Sequence, residues 1–249
     1  MKSENKKLWR EDELLLALNL YSKLSFGQLH SKNPKIIRLA EYLGRTPGSV
    51  AMKLCNFAAI DPDLPRKGLT GASNLDREMW TRYFSSDELI MLSEELMLPV
   101  FGKPGVIDST REKISEYYDN EVERLIQYQV QQSFFKSAVL SNFNEKCCLT
   151  GITQSELLVA CHIIPWEQDK SNRLNPKNGL CFNALHATAF NKGLITLDNT
   201  LKVIISSKIP RNHVHALILD FEDKQIEMPQ KYMPAQEFLD YHRNNIFVA

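Results

Sequence analysis

The amino-acid sequence predicts an α+β protein in which a helical, helix-turn-helix-like N-terminal domain precedes a domain that mixes strands and helices. Three observations support this class. Apolar residues recur at helical spacing in the N-terminal part of the chain. A stretch rich in proline and glycine interrupts the pattern at residues 98–110. Beyond it, short apolar runs alternate with polar loops. We therefore expect two domains, at residues 1–106 and 107–249.

Composition places the chain among ordinary globular proteins. It has 249 residues, 43% of them hydrophobic, and its 30 basic residues balance 30 acidic ones. No apolar run reaches the length of about eighteen residues that a membrane span needs, and the N-terminus lacks the apolar segment of a secretory signal. The five cysteines are an odd number without a disulfide-framework spacing. We expect an intracellular, cytoplasmic protein with reduced thiols.

The N-terminal domain opens with three predicted helices. Residues 9–24 form an amphipathic pattern with an acidic first turn. Residues 34–43 begin with proline and are followed by Gly44, which ends a helix well. Thr46 then has the position of an N-cap, with Pro47 as the first residue of a helix extending to about residue 57.

Two helices joined by a short turn with glycine are the layout of helix-turn-helix modules, and the stretch RTPGSVAMKL resembles the turn and helix of Myb-like members. The apolar positions of the last helix leave Ser49, Lys53 and Asn56 on its other side, and Arg45 precedes it. Residues 30–67 carry seven basic and three acidic residues, which favours phosphate binding. We predict that these four residues bind DNA. A purely structural helical hairpin remains the alternative.

A helical segment at residues 76–97 precedes the boundary, and another at residues 111–142 follows it. The apolar run LLVACHII and the shorter GLCF predict two strands, separated by the polar loop WEQDKSNRLNPKN. ALHATAFNKG predicts a helix that ends at Gly193. A hairpin turning at Asn199–Thr200 and a short C-terminal amphipathic helix complete the chain.

Two histidines and an asparagine lie at the junctions of these elements. Asn178 follows His162 by 16 residues, and His186 follows Asn178 by 8. With the flanking segments CCLTG, ACHIIPW, NPKNGLCF and AFNKGLI, this pattern over about residues 124–207 resembles the HNH endonucleases, particularly those of restriction and phage-defence type. The resemblance implies a ββα-metal arrangement and metal-dependent hydrolysis of DNA.

The resemblance also implies a role for each residue. His162 would be the general base that deprotonates water, and the Asn178 side chain would orient its imidazole. His186 and Asn191 would bind one divalent metal ion, with Mg²⁺ or Mn²⁺ expected first and Ni²⁺ or Zn²⁺ as alternatives. Products with 5′-phosphate and 3′-hydroxyl ends would follow. A homodimer is expected, because one centre of this kind cuts one strand.

Two positions depart from the family pattern. Cys161 stands where many members have an aspartate ligand, and Asn191 stands where this group commonly has aspartate. An uncharged amide binds Mg²⁺ more weakly than a carboxylate does. One alternative is therefore a DNA-binding regulator that has lost catalysis. The other is a nuclease acting on RNA or single strands, because the chemistry of these residues does not select the sugar. Because the chain has no C-x-x-C pair, we interpret the cysteines as packed thiols rather than zinc ligands.

Overall fold

Residues 8–64, 71–102 and 120–249 are described by the computed structural model, with side chains from residue 128 onward in the last range. The chain divides into two units, residues 1–130 and 131–249. The domain boundary expected between residues 106 and 107 lies outside the described residues and stays a prediction, as does the helical start expected at residue 111.

The described part of the first unit is helical. Its helices are α1 (Glu11–Ser22), α2 (Pro34–Leu43), α3 (Pro47–Ile60), α4 (Asn74–Phe84) and α5 (Asp87–Phe101).

The ends of α2 and α3 follow from local chemistry. The Asn33 side chain accepts a hydrogen bond from the first turn of α2, and Gly44 ends that helix in the left-handed region at φ 59°. The Thr46 hydroxyl accepts from the backbone N–H of Ser49, so the predicted N-cap is confirmed, with Pro47 in the first helical position.

The single helical segment expected at residues 76–97 is two helices, which corrects the sequence expectation. The chain leaves the helix at Ser85, and the Ser86 hydroxyl then accepts from the backbone N–H of Leu89 to begin α5. A serine at this position competes with the continuing helix for backbone hydrogen bonds, which apolar periodicity alone does not reveal.

The second unit mixes helices with two small sheets. In chain order its elements are the end of α6 (Asn120–Asn142), β1 (Leu158–His162), β2 (Gly179–Asn183), α7 (Ala184–Asn191), β3 (Ile195–Leu197), β4 (Val203–Ile205), α8 (Ala216–Leu219) and α9 (Gln236–Asn245).

The strands β1 and β2 form an antiparallel pair that fixes where the later residues lie. Leu158 pairs with Asn183 at one end, and His162 pairs with Gly179 at the other. The Asn183 side chain then caps α7. The predicted strand, loop, strand and helix are therefore present, in the order expected.

Helix α6 packs closely on this hairpin. Phe135 and Val139 of α6 are fully buried in the core of the unit. At Gly179, an added Cβ would lie 2.3 Å from Val139 Cγ2 and 3.0 Å from Phe135 Cζ. A side chain at residue 179 would therefore push α6 away from the hairpin.

The C-terminal segment packs on the end of α7. Gly193 has φ 67°, in agreement with the predicted helix end, and an added Cβ there would lie 2.0 Å from the Ile246 carbonyl oxygen. The Val248 N–H donates to the Gly193 carbonyl at 2.9 Å. Residue 193 is thus restricted both by its backbone conformation and by the segment that follows α9.

Candidate active site

His162, the last residue of β1, is held between aromatic rings. Its imidazole stacks on Phe135 with ring centroids 3.5 Å apart and an interplanar angle of 11°. The Trp166 ring meets it edge-on at 5.5 Å. Contacts on the face and the edge fix the plane of the imidazole before any substrate binds.

A backbone carbonyl determines which nitrogen of His162 is basic. Nε2 lies 2.9 Å from the Arg173 carbonyl oxygen. Because a carbonyl oxygen only accepts, Nε2 carries the proton and Nδ1 keeps its lone pair. Burial lowers the pKa of His162 below its ordinary value of 6.5, although the Arg173 hydrogen bond and the Glu167 charge oppose this. The ring is therefore a neutral acceptor of protons at neutral pH.

Asn178 contacts the backbone that follows His162 instead of the imidazole. Its Oδ1 accepts from the Ile164 N–H at 2.8 Å, and its Nδ2 donates to the carbonyl oxygens of Ile164 and Asn172 at 3.2 and 3.3 Å. The expectation that the Asn178 side chain orients the imidazole is thus corrected: its hydrogen bonds go to the backbone, and the Arg173 carbonyl binds the ring. Asn178 acts on the site by joining the end of β1 to the loop.

The polar loop between β1 and β2 is internally hydrogen-bonded. Asp169 accepts from the backbone N–H groups of Ser171 and Asn172, and from the Asn172 side chain. Asn175 then donates to Asn172 and accepts from the Lys177 N–H. These local bonds give the loop a defined path and place the Arg173 carbonyl against His162.

A cleft of about 290 Å³ opens beside His162. Its lining includes Trp166 from the loop, Asn191 from the end of α7, and His242 and Ile246 from the C-terminal segment. The structure therefore brings two of the predicted residues, His162 and Asn191, to one cleft.

His186 lies elsewhere. It is one turn after Asn183, at the hairpin end opposite His162, and about 13 Å of strand separates the two ends. Its ring is buried, with Nδ1 3.0 Å from Asn183 Oδ1 and Nε2 3.1 Å from the Leu217 carbonyl oxygen. Burial lowers its pKa. Both nitrogens face acceptors, and His186 is not among the residues that line the cleft.

The residues of the site do not fit a preassembled metal centre. Within the described ranges, no three histidine, cysteine, aspartate or glutamate residues are grouped to hold an ion. Burial raises the pKa of the Cys161 thiol to about 12, so it is not a thiolate at neutral pH. The other buried cysteines of this unit, Cys147, Cys148 and Cys181, also have free thiols and pack in the core.

His242 lines the cleft without having shown any sequence pattern. It is 1% exposed, stacks on Phe190 at 3.8 Å, and joins two elements. Its Nε2–H donates to the Phe190 carbonyl oxygen at 3.1 Å, and its Nδ1 accepts from the Thr196 hydroxyl at 2.9 Å. His242 thereby fixes the α7 end that carries Asn191. The amphipathic pattern of the C-terminal helix predicted a helix, but it did not indicate that His242 would line the cleft.

In the first unit, the side chains predicted to bind DNA are mostly engaged in the fold. Lys53 is buried and donates to both carboxylate oxygens of Asp76, at 2.7 and 2.8 Å. The Arg45 side chain is 6% exposed and forms an ion pair with Glu13 at 2.7 Å. The expectation that Lys53 points away from the core is wrong, because α3 is packed on most of its surface.

Asn56 and Ser49 complete that set. Asn56 is buried, and its Nδ2 donates to the Gly71 carbonyl oxygen at 3.3 Å, so it also does not point to solvent as expected. Ser49 is partly exposed in the first turn of α3. Of the four residues, Ser49 alone retains the placement that the DNA-binding prediction assumed.

Comparison with known families identifies the segment that carries the site. Residues 147–198 match the family model described as HNH endonuclease. No curated protein matches the chain. Among the helices of the described residues, none is both long and apolar enough to cross a membrane. The match covers β1, the polar loop, β2, α7 and β3, and it supports nuclease activity on nucleic acid. Residues 147–198 are therefore an HNH endonuclease domain.

Proposed function

We propose that the protein hydrolyses phosphodiester bonds of DNA, as a restriction or phage-defence nuclease, with His162 as the general base. The observation that carries the proposal is the state of the His162 ring. Its Nε2–H is engaged by the Arg173 carbonyl, its pKa is lowered by burial, and it lines an open cleft. A neutral imidazole of fixed orientation is suited to accept a proton from water.

In the proposed step, a water molecule in the cleft gives a proton to His162 Nδ1 as its oxygen attacks phosphorus. The bond from phosphorus to the 3′-oxygen breaks, and that oxygen takes a proton from solvent. The water oxygen remains on the phosphate, so the products carry a 5′-phosphate and a 3′-hydroxyl. The aromatic contacts of His162 with Phe135 and Trp166 support this role, since they prevent the ring from turning during the reaction.

We also propose that activity depends on a divalent ion, with Mg²⁺ or Mn²⁺ expected before Ni²⁺ or Zn²⁺. Nucleases of this family generally use such an ion, which neutralises charge on the reacting phosphate. The family match supports this proposal. Asn191 lines the cleft and has a side-chain amide oxygen to offer, whereas His186 would have to break its contact with Leu217 or Asn183 to become a ligand.

Plasmid cleavage tests the proposal directly. The purified protein, stripped with EDTA, is incubated with supercoiled DNA and each of the four metals, in parallel with His162→Ala and His213→Ala. His213 is an exposed histidine of the same unit and serves as the matched control. Nicking or linearisation that requires metal, disappears in His162→Ala and persists in His213→Ala supports the nuclease. Equal cleavage by His162→Ala rejects His162 as the base.

Two outcomes favour the alternatives. The chemistry of His162 does not select the sugar, so cleavage confined to RNA or single-stranded DNA identifies that substrate class. DNA binding without cleavage under every metal favours the regulator that has lost catalysis, consistent with the absence of a grouped ligand set in the described residues. The proposed homodimer is tested by solution mass, and a monomer that makes double-strand breaks removes the reason for it.

A further inference from the structure

We propose that the guanidinium of Arg173 binds a phosphate group of the nucleic acid at the mouth of the cleft. Arg173 would then serve the site twice, since its carbonyl orients His162 and its side chain holds the substrate. This inference rests on the proposed function and adds to it a residue for substrate binding.

The position of the guanidinium follows from two contacts. Nε of Arg173 donates to the Trp166 carbonyl oxygen at 2.9 Å, and the guanidinium carbon lies 4.8 Å from the centre of the Trp166 ring. Trp166 itself lines the cleft and touches His162 edge-on. The hydrogen bonds of Asp169 and Asn175 within the same loop fix the backbone on either side of Arg173. The positive charge is therefore held in place against Trp166, a residue that lines the cleft, with little side-chain freedom left to lose on binding.

The Arg173 guanidinium has no carboxylate partner in the part of the chain that the structure describes, so its charge is available to an anion. Among the described residues, none of the ion pairs involves Arg173. In the same unit, Arg211 and Arg243 each pair with a carboxylate. A guanidinium has five N–H donors, and Nε alone is used by Trp166. The terminal N–H groups form the fork that matches two phosphate oxygens.

The same charge is felt at His162. The pKa of His162 is lowered first by burial. The Arg173 carbonyl and the negative charge of Glu167 raise it, and the positive charge of Arg173 lowers it. The guanidinium and the imidazole thus share one electrostatic neighbourhood. A phosphate held by Arg173 would lie next to the base, and its developing negative charge would be stabilised by a group already in position.

A purely structural Arg173 would show a different pattern, so the variants are chosen to separate the two roles. Arg173→Gln removes the charge and the fork, whereas Arg173→Lys keeps the charge without the fork. Lys170→Gln is the matched control, because it removes an exposed positive charge from the same loop. Thermal unfolding and the His162 Nε2–H resonance show whether the loop and its bond to the Arg173 carbonyl persist in each variant.

The measurement is an NMR titration with diethyl phosphate, a small diester that reaches the cleft without other DNA contacts. We expect the His162 ring resonances to shift with the diester in the wild type and in Lys170→Gln. In Arg173→Gln we expect about tenfold weaker binding or more, since charge-assisted hydrogen bonds are lost, and an intermediate effect in Arg173→Lys.

Equal affinity in Arg173→Gln and the wild type, or no response of the wild type to the diester, overturns the proposal. If Arg173→Gln disturbs the Nε2–H resonance of His162, the affinity of Arg173→Lys for the diester is the deciding measurement. Wild-type affinity in Arg173→Lys also rejects recognition of the phosphate by the guanidinium fork. The result is separable from the proposed function. If the diester binds and no nucleic acid is cleaved, the proposed nuclease function is rejected and Arg173 remains a phosphate site. If cleavage depends on His162 and the diester does not bind, the phosphate site is rejected and the nuclease function remains.

Discussion

At the scale of single residues, the site is built from one histidine and the groups that remove its freedom. Phe135 and Trp166 fix the plane of the His162 ring, the Arg173 carbonyl fixes its tautomer, and Asn178 fixes the backbone behind it. The sequence identified His162 and Asn178 as a pair. It did not show that a loop carbonyl, that of Arg173, binds the imidazole while the Asn178 side chain binds backbone groups, because a backbone contact cannot be recognised from residue type.

The pKa of His162 determines the expected pH dependence of cleavage. Burial lowers this pKa below 6.5, so the imidazole stays neutral until the pH falls beneath that value. Activity should therefore be retained at pH 6.5 and above, and should fall as acidification protonates Nδ1. The measurement is kcat/KM against pH with a fixed excess of metal, and an acid limb centred above pH 6.5 would contradict the assignment.

At the scale of helices, local signals and packing had different predictive value. The boundaries of α2 and α3 followed from Pro34, Gly44 and Thr46, which act on the backbone within a few residues of themselves. The solvent-facing side of α3 did not follow, because its polar residues are partnered inside the unit. Lys53 reaches Asp76, 23 residues further along the chain, and such a pairing cannot be recognised from helical periodicity.

The pairing of Lys53 with Asp76 gives a stability prediction. Lys53→Ala leaves the buried Asp76 carboxylate without its cation, and should reduce the free energy of unfolding by about 3 kcal/mol. The double variant Lys53→Ala with Asp76→Asn should recover part of the lost free energy of unfolding, because it has no unpaired charge at residue 76. Urea denaturation followed by circular dichroism provides the measurement.

Lys32→Ala, at an exposed lysine, is the control and should change stability by less than about 0.5 kcal/mol. If Lys53→Ala is as stable as the wild type but binds DNA more weakly, the structural role is rejected and the DNA-binding prediction for Lys53 is restored.

At the scale of the whole molecule, the α+β class and the order of elements in the second unit could be predicted. Apolar runs, the polar loop and Gly193 carry that information locally. Which of the candidate residues line the cleft could not be predicted in the same way. His186 and Asn191 are five residues apart on one helix, yet only Asn191 lines the cleft. The placement of Asn191 relative to His162 depends on the register of β1 with β2, in which His162 lies opposite Gly179.

The buried cysteines lead to a prediction for metal removal from the whole protein. Cys147, Cys148, Cys161 and Cys181 lie in the core as free thiols, and no ligand group is assembled in the described residues. Stripping metal with EDTA should therefore leave the thermal unfolding temperature unchanged within error, while abolishing the proposed activity. A decrease of several degrees that Zn²⁺ reverses would contradict this, since a structural zinc site contributes directly to folding.

The contact between Gly193 and the segment after α9 determines where a transplantable piece of this chain has to end. The family match stops at residue 198, but His242 fixes the end of α7 and Ile246 lines the cleft. A chimaera that carries only the matched residues would expose Phe190 and lose one side of the cleft. A designer who wishes to move the matched segment to another protein should therefore take the chain from α6, whose Phe135 stacks on His162, through Val248.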